Sequence, residues 1–342
     1  MSSTVPVLIH RSQFPAILER EWVCSFQSRS INHKFHYETP KQAQKWIALH
    51  AAYSPAIQDP GCRKMYRQAL AAAAKRLVAD DVHVVSLGCG SGEKDVWLQR
   101  ALHREIPGRA VHYTPCDASA SLVVTAHQCW HQNKVPGPSQ PGIVCDVGTA
   151  TDLRPILSRL APAFAQRIVL FFGMIPNFEP QAILPRLKNL VGRADWLIFS
   201  ANLAPGSNYE RGVRRVLPGY DNRLTRDWLF TALADVGIES ADGRIEFGIE
   251  SKDGLLRIVA VFHFRRRRTV CVAGQTIEFA RGEVMRLFFS YRYTVDAIQR
   301  LLSGHGFIVQ DARIASAGEE GVFLCRREKS QAGALSPATI KF

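Results

Sequence analysis

Val84-Val85-Ser86-Leu87-Gly88-Cys89-Gly90-Ser91-Gly92-Glu93-Lys94 runs from an apolar segment into three alternate glycines and then into charge. The pattern predicts a buried strand, a tight turn and the start of a helix. Glycines have no Cβ, so the backbone of such a turn can approach a nucleotide-like ligand closely. The spacing is Gly-x-Gly-x-Gly. It lacks the Gly-x-Gly-x-x-Gly of a dinucleotide site and the Gly-Lys-Ser/Thr of a phosphate loop, which points away from NAD and ATP.

Outward from this turn, helical and strand-like patterns alternate. Apolar periodicity predicts helices over 65–78, 96–103, 119–130, 153–160 and 181–190, and strands over 82–87, 110–116, 142–145, 167–172 and 196–200. Strands separated by helices imply right-handed crossovers and a mostly parallel, doubly wound sheet, hence an α/β fold. The alternation stops after Ala204. Residues 205–288 read instead as a helix-rich stretch with Tyr209, Tyr220 and Trp228, followed by β-like runs over 245–248, 256–264 and 275–279. A helix over 294–303 and strands over 307–314 and 322–326 then close the chain as an antiparallel hairpin. Residues 1–30 give no strong signal, and the end of the chain reads as a loose tail.

The chain has 342 residues, 46% of them hydrophobic and 21% charged, which suits one large or two interlocked globular domains and excludes a mainly disordered protein. The net charge of +13 suits an anionic partner. Its densest cluster, Arg265-Arg266-Arg267-Arg268, follows an apolar run and is expected to be a strand end with solvated arginines. Eight cysteines (24, 62, 89, 116, 129, 145, 271 and 325) share no Cys-x-x-Cys spacing, so neither a zinc site nor a redox motif is supported. With no leader pattern and no apolar run near membrane-spanning length, a reduced cytoplasmic location and no membrane partner are expected.

Ligands of open α/β sheets gather beyond the C-terminal strand ends. There the first strand offers Gly88, Gly90 and Ser91 with Lys94 behind them, the second Asp117, the third Asp146, and the fourth the segment 173–178. An acid after the second strand can accept from both ribose hydroxyls, and one after the third from an adenine amino group. Asp117 could instead cap the helix that follows. Taken in this order, the residues point to S-adenosylmethionine.

The chain resembles the histidine-specific N-methyltransferase family of ergothioneine biosynthesis over roughly residues 30 to 327. The likeness rests on Lys34-Phe35-His36-Tyr37 followed by Ala52-Tyr53-Ser54-Pro55, the Leu-Gly-Cys-Gly-Ser-Gly-Glu-Lys turn, Ile175-Pro176-Asn177-Phe178, Pro218-Gly219-Tyr220-Asp221-Asn222, and Ser290-Tyr291-Arg292-Tyr293. It implies a class I (Rossmann-like) SAM-dependent methyltransferase, with a mostly parallel seven-stranded sheet and an inserted α+β substrate domain. The cofactor domain would comprise 59–204 and 289–328, the substrate-recognition domain 1–58 and 205–288, and a flexible tail 329–342. By the same likeness Gly88, Lys94, Asp117 and Asp146 match cofactor-binding positions, and Tyr37, Tyr53, Asn177 and Tyr220 match positions holding the substrate's amine and carboxylate. Tyr37 is expected to contact the amine and Asn177 the carboxylate, with no metal involved.

One departure bears on the acceptor. The family grips imidazole with a glutamate and a nearby serine; here the glutamate position is Phe288, while Ser290 remains. A methionine of the same pocket aligns approximately with Ala260. Without the carboxylate the imidazole N–H has no partner, so the expected acceptor is an amino acid or related small amine other than histidine. Three rivals stay open: a nucleic-acid acceptor suggested by the positive charge, transfer of an aminocarboxypropyl group as in nicotianamine-type enzymes, and a degenerate fold serving as a scaffold.

Overall fold

The computed structural model describes residues 4–328; the tail expected at 329–342 lies outside the described residues. Along the chain come β1 (Val7–Ile9), β2 (Asp81–Leu87), β3 (Ala110–Asp117), β4 (Gly142–Val144), β5 (Gln166–Phe171) and β6 (Trp196–Asn202). They are followed by β7 (Gly243–Lys252), β8 (Leu255–Phe264), β9 (Arg268–Val272), β10 (Gln275–Phe279) and β11 (Val284–Arg292), and the hairpin β12 (Phe307–Ile314) and β13 (Glu320–Arg327) completes the described fold.

The central sheet has eight strands in the order β1-β4-β3-β2-β5-β6-β13-β12, parallel except where β13 meets β6 and β12. Its strands alternate between two cores. Val82 and Val84 pack on one face with Ile168, Leu170 and Ile198, while Val85 and Leu87 pack on the other with Val169, Phe171 and Phe199. Burial on both faces is what a parallel sheet with helices on each side requires, and it explains why these strands read as continuous apolar runs.

The expected seven strands are corrected to eight. Val7–Ile9 pairs in parallel with Gly142–Val144 at the sheet edge, so a segment placed in the substrate part joins the central sheet. A three-residue strand is too short to show a period, and its register comes entirely from its neighbour.

Residues 205–288 and the N-terminal segment share one hydrophobic core. Phe26 and Phe35 from the N-terminus pack with Trp228, Ala260, Phe262, Phe279 and Phe288 from the insertion. The insertion holds a three-stranded antiparallel sheet, β11-β8-β7, and the hairpin β9-β10. Strand β11 runs through the boundary expected at 288/289 without a break. Arg265, Arg266 and Arg267 follow the end of β8 and are exposed, as expected, and the run is also ion-paired. Arg266 and Arg268 pair with Asp242, which is fully buried, and Arg267 pairs with Glu278. A buried carboxylate needs such partners to remain charged. Among the described residues no helix is long and apolar enough to cross a membrane.

Candidate active site

A cavity of about 450 Å³ opens beyond the C-terminal ends of β2, β3 and β5 and extends toward the insertion. Gly88 and Gly90 turn its floor with φ of +68° and +55°, conformations costly to any residue with a Cβ. A Cβ on Gly88 would stand 2.4 Å from the Met174 sulfur, and one on Gly90 would stand 2.6 Å from the Trp46 ring. Trp46 belongs to the helix Pro40–Tyr53, whose start is fixed by Pro40 and by reciprocal bonds between Thr39 and Gln42. The helix thus lies over the glycine turn. Met174 and Trp46 close on the glycines, and the turn leaves Gly88, Cys89 and Ser91 on the cavity wall.

Asp117 ends β3 with its carboxylate buried. Its Oδ1 accepts from the Ser119 N–H at 3.0 Å and its Oδ2 from the Gly90 N–H at 3.2 Å. Burial raises its pKa to about 6, against the pull of these backbone bonds. The capping alternative does not hold, because Ser119 itself caps the helix Ala120–Gln132. Asp117 therefore has acceptor capacity left for the cavity it lines. Asp146 accepts from the Gly148 N–H at 2.8 Å and faces the Lys34 ammonium at 3.6 Å; Lys34 in turn pairs with Glu21 at 2.5 Å. The N-terminal segment is thereby tied to the end of the third expected strand. Lys94 sits over the Tyr66 and Phe172 rings, and burial lowers its pKa, with the Glu320 charge acting in the opposite sense.

The far end of the cavity is walled by rings. Tyr37 stands 5.4 Å from Trp228 and 5.6 Å from Trp46, between centroids, and its hydroxyl lies 3.0 Å from His33 Nε2. Burial and then the Asp117 charge push the Tyr37 pKa well above its ordinary value, so the phenol stays protonated. Burial and then His36 lower the His33 pKa to about 3, leaving a neutral imidazole. Phe288 pairs across the sheet with Ala260, and its ring meets His33, Trp228 and Tyr220 at 5.9–6.2 Å. A β-bulge between Arg286 and Phe288 sets this orientation: Leu287 packs in the core while Phe288 reaches the cavity.

Most of the expected residues line one cavity: Tyr37, Tyr53, Asn177, Tyr220 and Phe288 with Gly88, Ser91, Lys94, Asp117 and Asp146. Tyr53 stands half-exposed among them. Gly90 contributes its N–H to Asp117. Asn177 donates from Nδ2 to the Phe289 carbonyl at 2.8 Å, so part of its amide is already engaged. Ser290 departs from expectation: it is buried outside the lining, 3.0 Å from the Tyr220 hydroxyl, and accepts from Asn202. It supports Tyr220.

Sequence reasoning missed His33, Trp46, Trp228, Asn202 and Arg292, all of which line the cavity. His33 and Arg292 had a signal, since one precedes and the other lies within a quoted motif. The tryptophans had none, because a helical face turned to a cavity has the same period as one turned to a core.

A family model described as "Histidine-specific methyltransferase, SAM-dependent" matches residues 63–327. A search of curated proteins returns no match. Among solved structures the chain is similar to an S-adenosylmethionine-dependent methyltransferase from Clostridium acetobutylicum ATCC 824, at 10% identity and a TM-score of 0.44, covering 84% of this chain and 99% of that one. It is also similar to the 1,6-didemethyltoxoflavin-N1-methyltransferase of Burkholderia thailandensis, at 12% identity and 0.43, covering 87% and 92%. A third is the magnesium protoporphyrin IX methyltransferase of Synechocystis PCC 6803, at 13% and 0.42, covering 86% and 97%. The family match spans well over half of the sequence and includes the glycine turn, Asp117, Asp146 and the insertion; the chain belongs to the histidine-specific, SAM-dependent methyltransferase family.

Proposed function

We propose that this methyltransferase acts on the amine of an amino acid or related small amine with an apolar or aromatic side chain, and that histidine is not its preferred acceptor. The observation that carries this reading is the surrounding of Phe288. The rings meeting it are His33, Trp228 and Tyr220, and its cross-strand partner is Ala260. No acid stands among them to take an imidazole N–H, whereas an apolar or aromatic side chain gains from burial against such rings.

S-adenosylmethionine supplies an electrophilic methyl group on a sulfonium. On this reading Gly88, Gly90 and Ser91 make room for it, Lys94 faces its carboxylate, Asp117 accepts from its ribose hydroxyls and Asp146 from its adenine amino group. The N-terminal segment and residues 205–288, which share a core, form the substrate-recognition part. Tyr37, held protonated by burial, cannot serve as a phenolate base. With Nε2 the unprotonated nitrogen of neutral His33, the Tyr37 hydroxyl donates to that imidazole and its lone pairs are free to accept an N–H of the acceptor amine, turning the nitrogen lone pair along the line of transfer. Asn177, with its remaining N–H, and Tyr220 hold the carboxylate. Closing rings around the amine excludes water, so no strong acid or base is required.

The basic run Arg265–Arg268 is largely ion-paired within the insertion, which weakens its case as a nucleic-acid contact. The test is incubation with methyl-labelled S-adenosylmethionine and pools of amino acids and amines, followed by mass identification of the labelled product. Labelled aromatic or aliphatic amino acids, with S-adenosylhomocysteine as by-product, support the proposal. Histidine as the best acceptor would overturn it. Methylthioadenosine as by-product would replace methyl transfer by aminocarboxypropyl transfer.

A further inference from the structure

The cavity contains a buried positive charge with no counter-ion. Arg292 is only 8% exposed and lines the cavity. Its Nη2 donates to the Tyr220 hydroxyl at 2.8 Å and its Nη1 to the carbonyls of Leu203 and Glu319 at 3.2 and 3.4 Å. Every partner is neutral, and its buried Nε has none. Among the described residues no carboxylate lies within ion-pair distance of it. Arg257 makes the contrast: it is equally enclosed, yet it is paired with Glu250 and Glu179 at 2.7 and 2.9 Å. A buried guanidinium without an anion is costly, and its planar fork matches a carboxylate.

The hydroxyl beside it is polarised in the same sense. The Tyr220 oxygen accepts from Arg292 at 2.8 Å and from Asn202 Nδ2 at 3.4 Å. With those lone pairs engaged, the Tyr220 hydrogen is left to donate to Ser290 or to a ligand. Phe288, Ser290 and Arg292 stand at alternate positions of β11, so the strand presents an apolar group and a donor-only corner two pleats apart on one face.

We infer that Arg292 is a further anchor for the acceptor's α-carboxylate, beside the Asn177 and Tyr220 of the reading above, so that a decarboxylated amine, amide or ester leaves the guanidinium without an anion and is disfavoured. The inference rests on the proposed function and deepens it by assigning an anchor that sets the distance from carboxylate to amine. The apolar side chain then falls toward Phe288.

The test takes L-phenylalanine, L-tyrosine, L-tryptophan and any better acceptor found in the pools, and compares each with its primary amide and its decarboxylated amine. Wild-type enzyme should methylate the free acid with kcat/KM about 100-fold or more above its two analogues. Arg292→Gln should raise KM for the acid by a similar factor, change kcat less, and so shrink the ratio of acid to analogue toward one; Arg292→Lys should recover part of the loss. Binding of S-adenosylhomocysteine, measured by calorimetry, should stay within about threefold of wild type, separating substrate anchoring from general damage. If Arg292→Gln does not fold, Arg292→Lys carries the test: it keeps the charge but loses the planar fork, and a KM for the acid equal to wild type would overturn the anchor. Equal or better rates on the decarboxylated amines would overturn this inference while leaving methyl transfer to a small amine standing. If no amine or amino acid is methylated, the reading beneath it falls, and the anchor falls with it.

Discussion

Replacing Gly90 by alanine tests how the glycine turn and the covering helix depend on each other. The new Cβ would stand 2.6 Å from the Trp46 ring, where ordinary contact begins near 3.4 Å, so the indole must move by about 1 Å. Overpacking of that kind costs about 1–3 kcal/mol. Holding alanine at φ +55° adds about 1–2 kcal/mol, giving about 2–5 kcal/mol of lost stability in all. Trp46 stacks on His50 at 4.9 Å and meets Tyr37 at 5.6 Å, so the shift also disturbs the aromatic wall of the cavity. The assay is urea unfolding of wild type, Gly90→Ala, Trp46→Ala and the double variant. In the Trp46→Ala background only the backbone part should remain, about 1–2 kcal/mol. Equal costs of Gly90→Ala in both backgrounds would refute the contact, and with it the argument that the turn and the helix close on one another.

Other expectations follow from the same geometry. Asp117, with its pKa raised to about 6, should accept from ribose hydroxyls fully when ionised. Affinity for S-adenosylhomocysteine should therefore fall as pH drops through about 6, and Asp117→Asn should weaken binding and flatten that dependence in calorimetry. Tyr37→Phe should lower kcat/KM about 10- to 100-fold with cofactor-product binding unchanged; a rate equal to wild type would remove Tyr37 from contact with the amine. Phe288→Glu should raise the preference for histidine over an aromatic amino acid by at least about tenfold in a competition assay. An unchanged ratio in a folded variant would show that Phe288 does not set the acceptor.

Much of the central sheet and its strand-end turn was legible in local sequence. Strand periods and the Gly88–Gly92 spacing are properties of short segments, and an acid at a strand end needs only the parallel-sheet rule to be placed near its neighbours. The ring-lined end of the cavity was legible only through motif likeness. Tyr37, Tyr53, Asn177, Tyr220 and Phe288 come from five distant places in the chain, and no local pattern says that they meet. Ser290 shows the limit: its motif position survives, yet it stands behind Tyr220 rather than at the cavity wall.

By itself the sequence determined an α/β core, a glycine turn built for close approach, and strand-end acids beside it, because each depends on periodicity or on the backbone freedom of single residues. Only the tertiary structure decided the edge strand Val7–Ile9, the bulge that presents Phe288, the indole over Gly90, and the guanidinium of Arg292 with no anion beside it. Those depend on which distant side chains share a wall, and in particular on whether a buried charge finds its counter-ion within the chain; that is settled by three-dimensional proximity and leaves no period in the sequence.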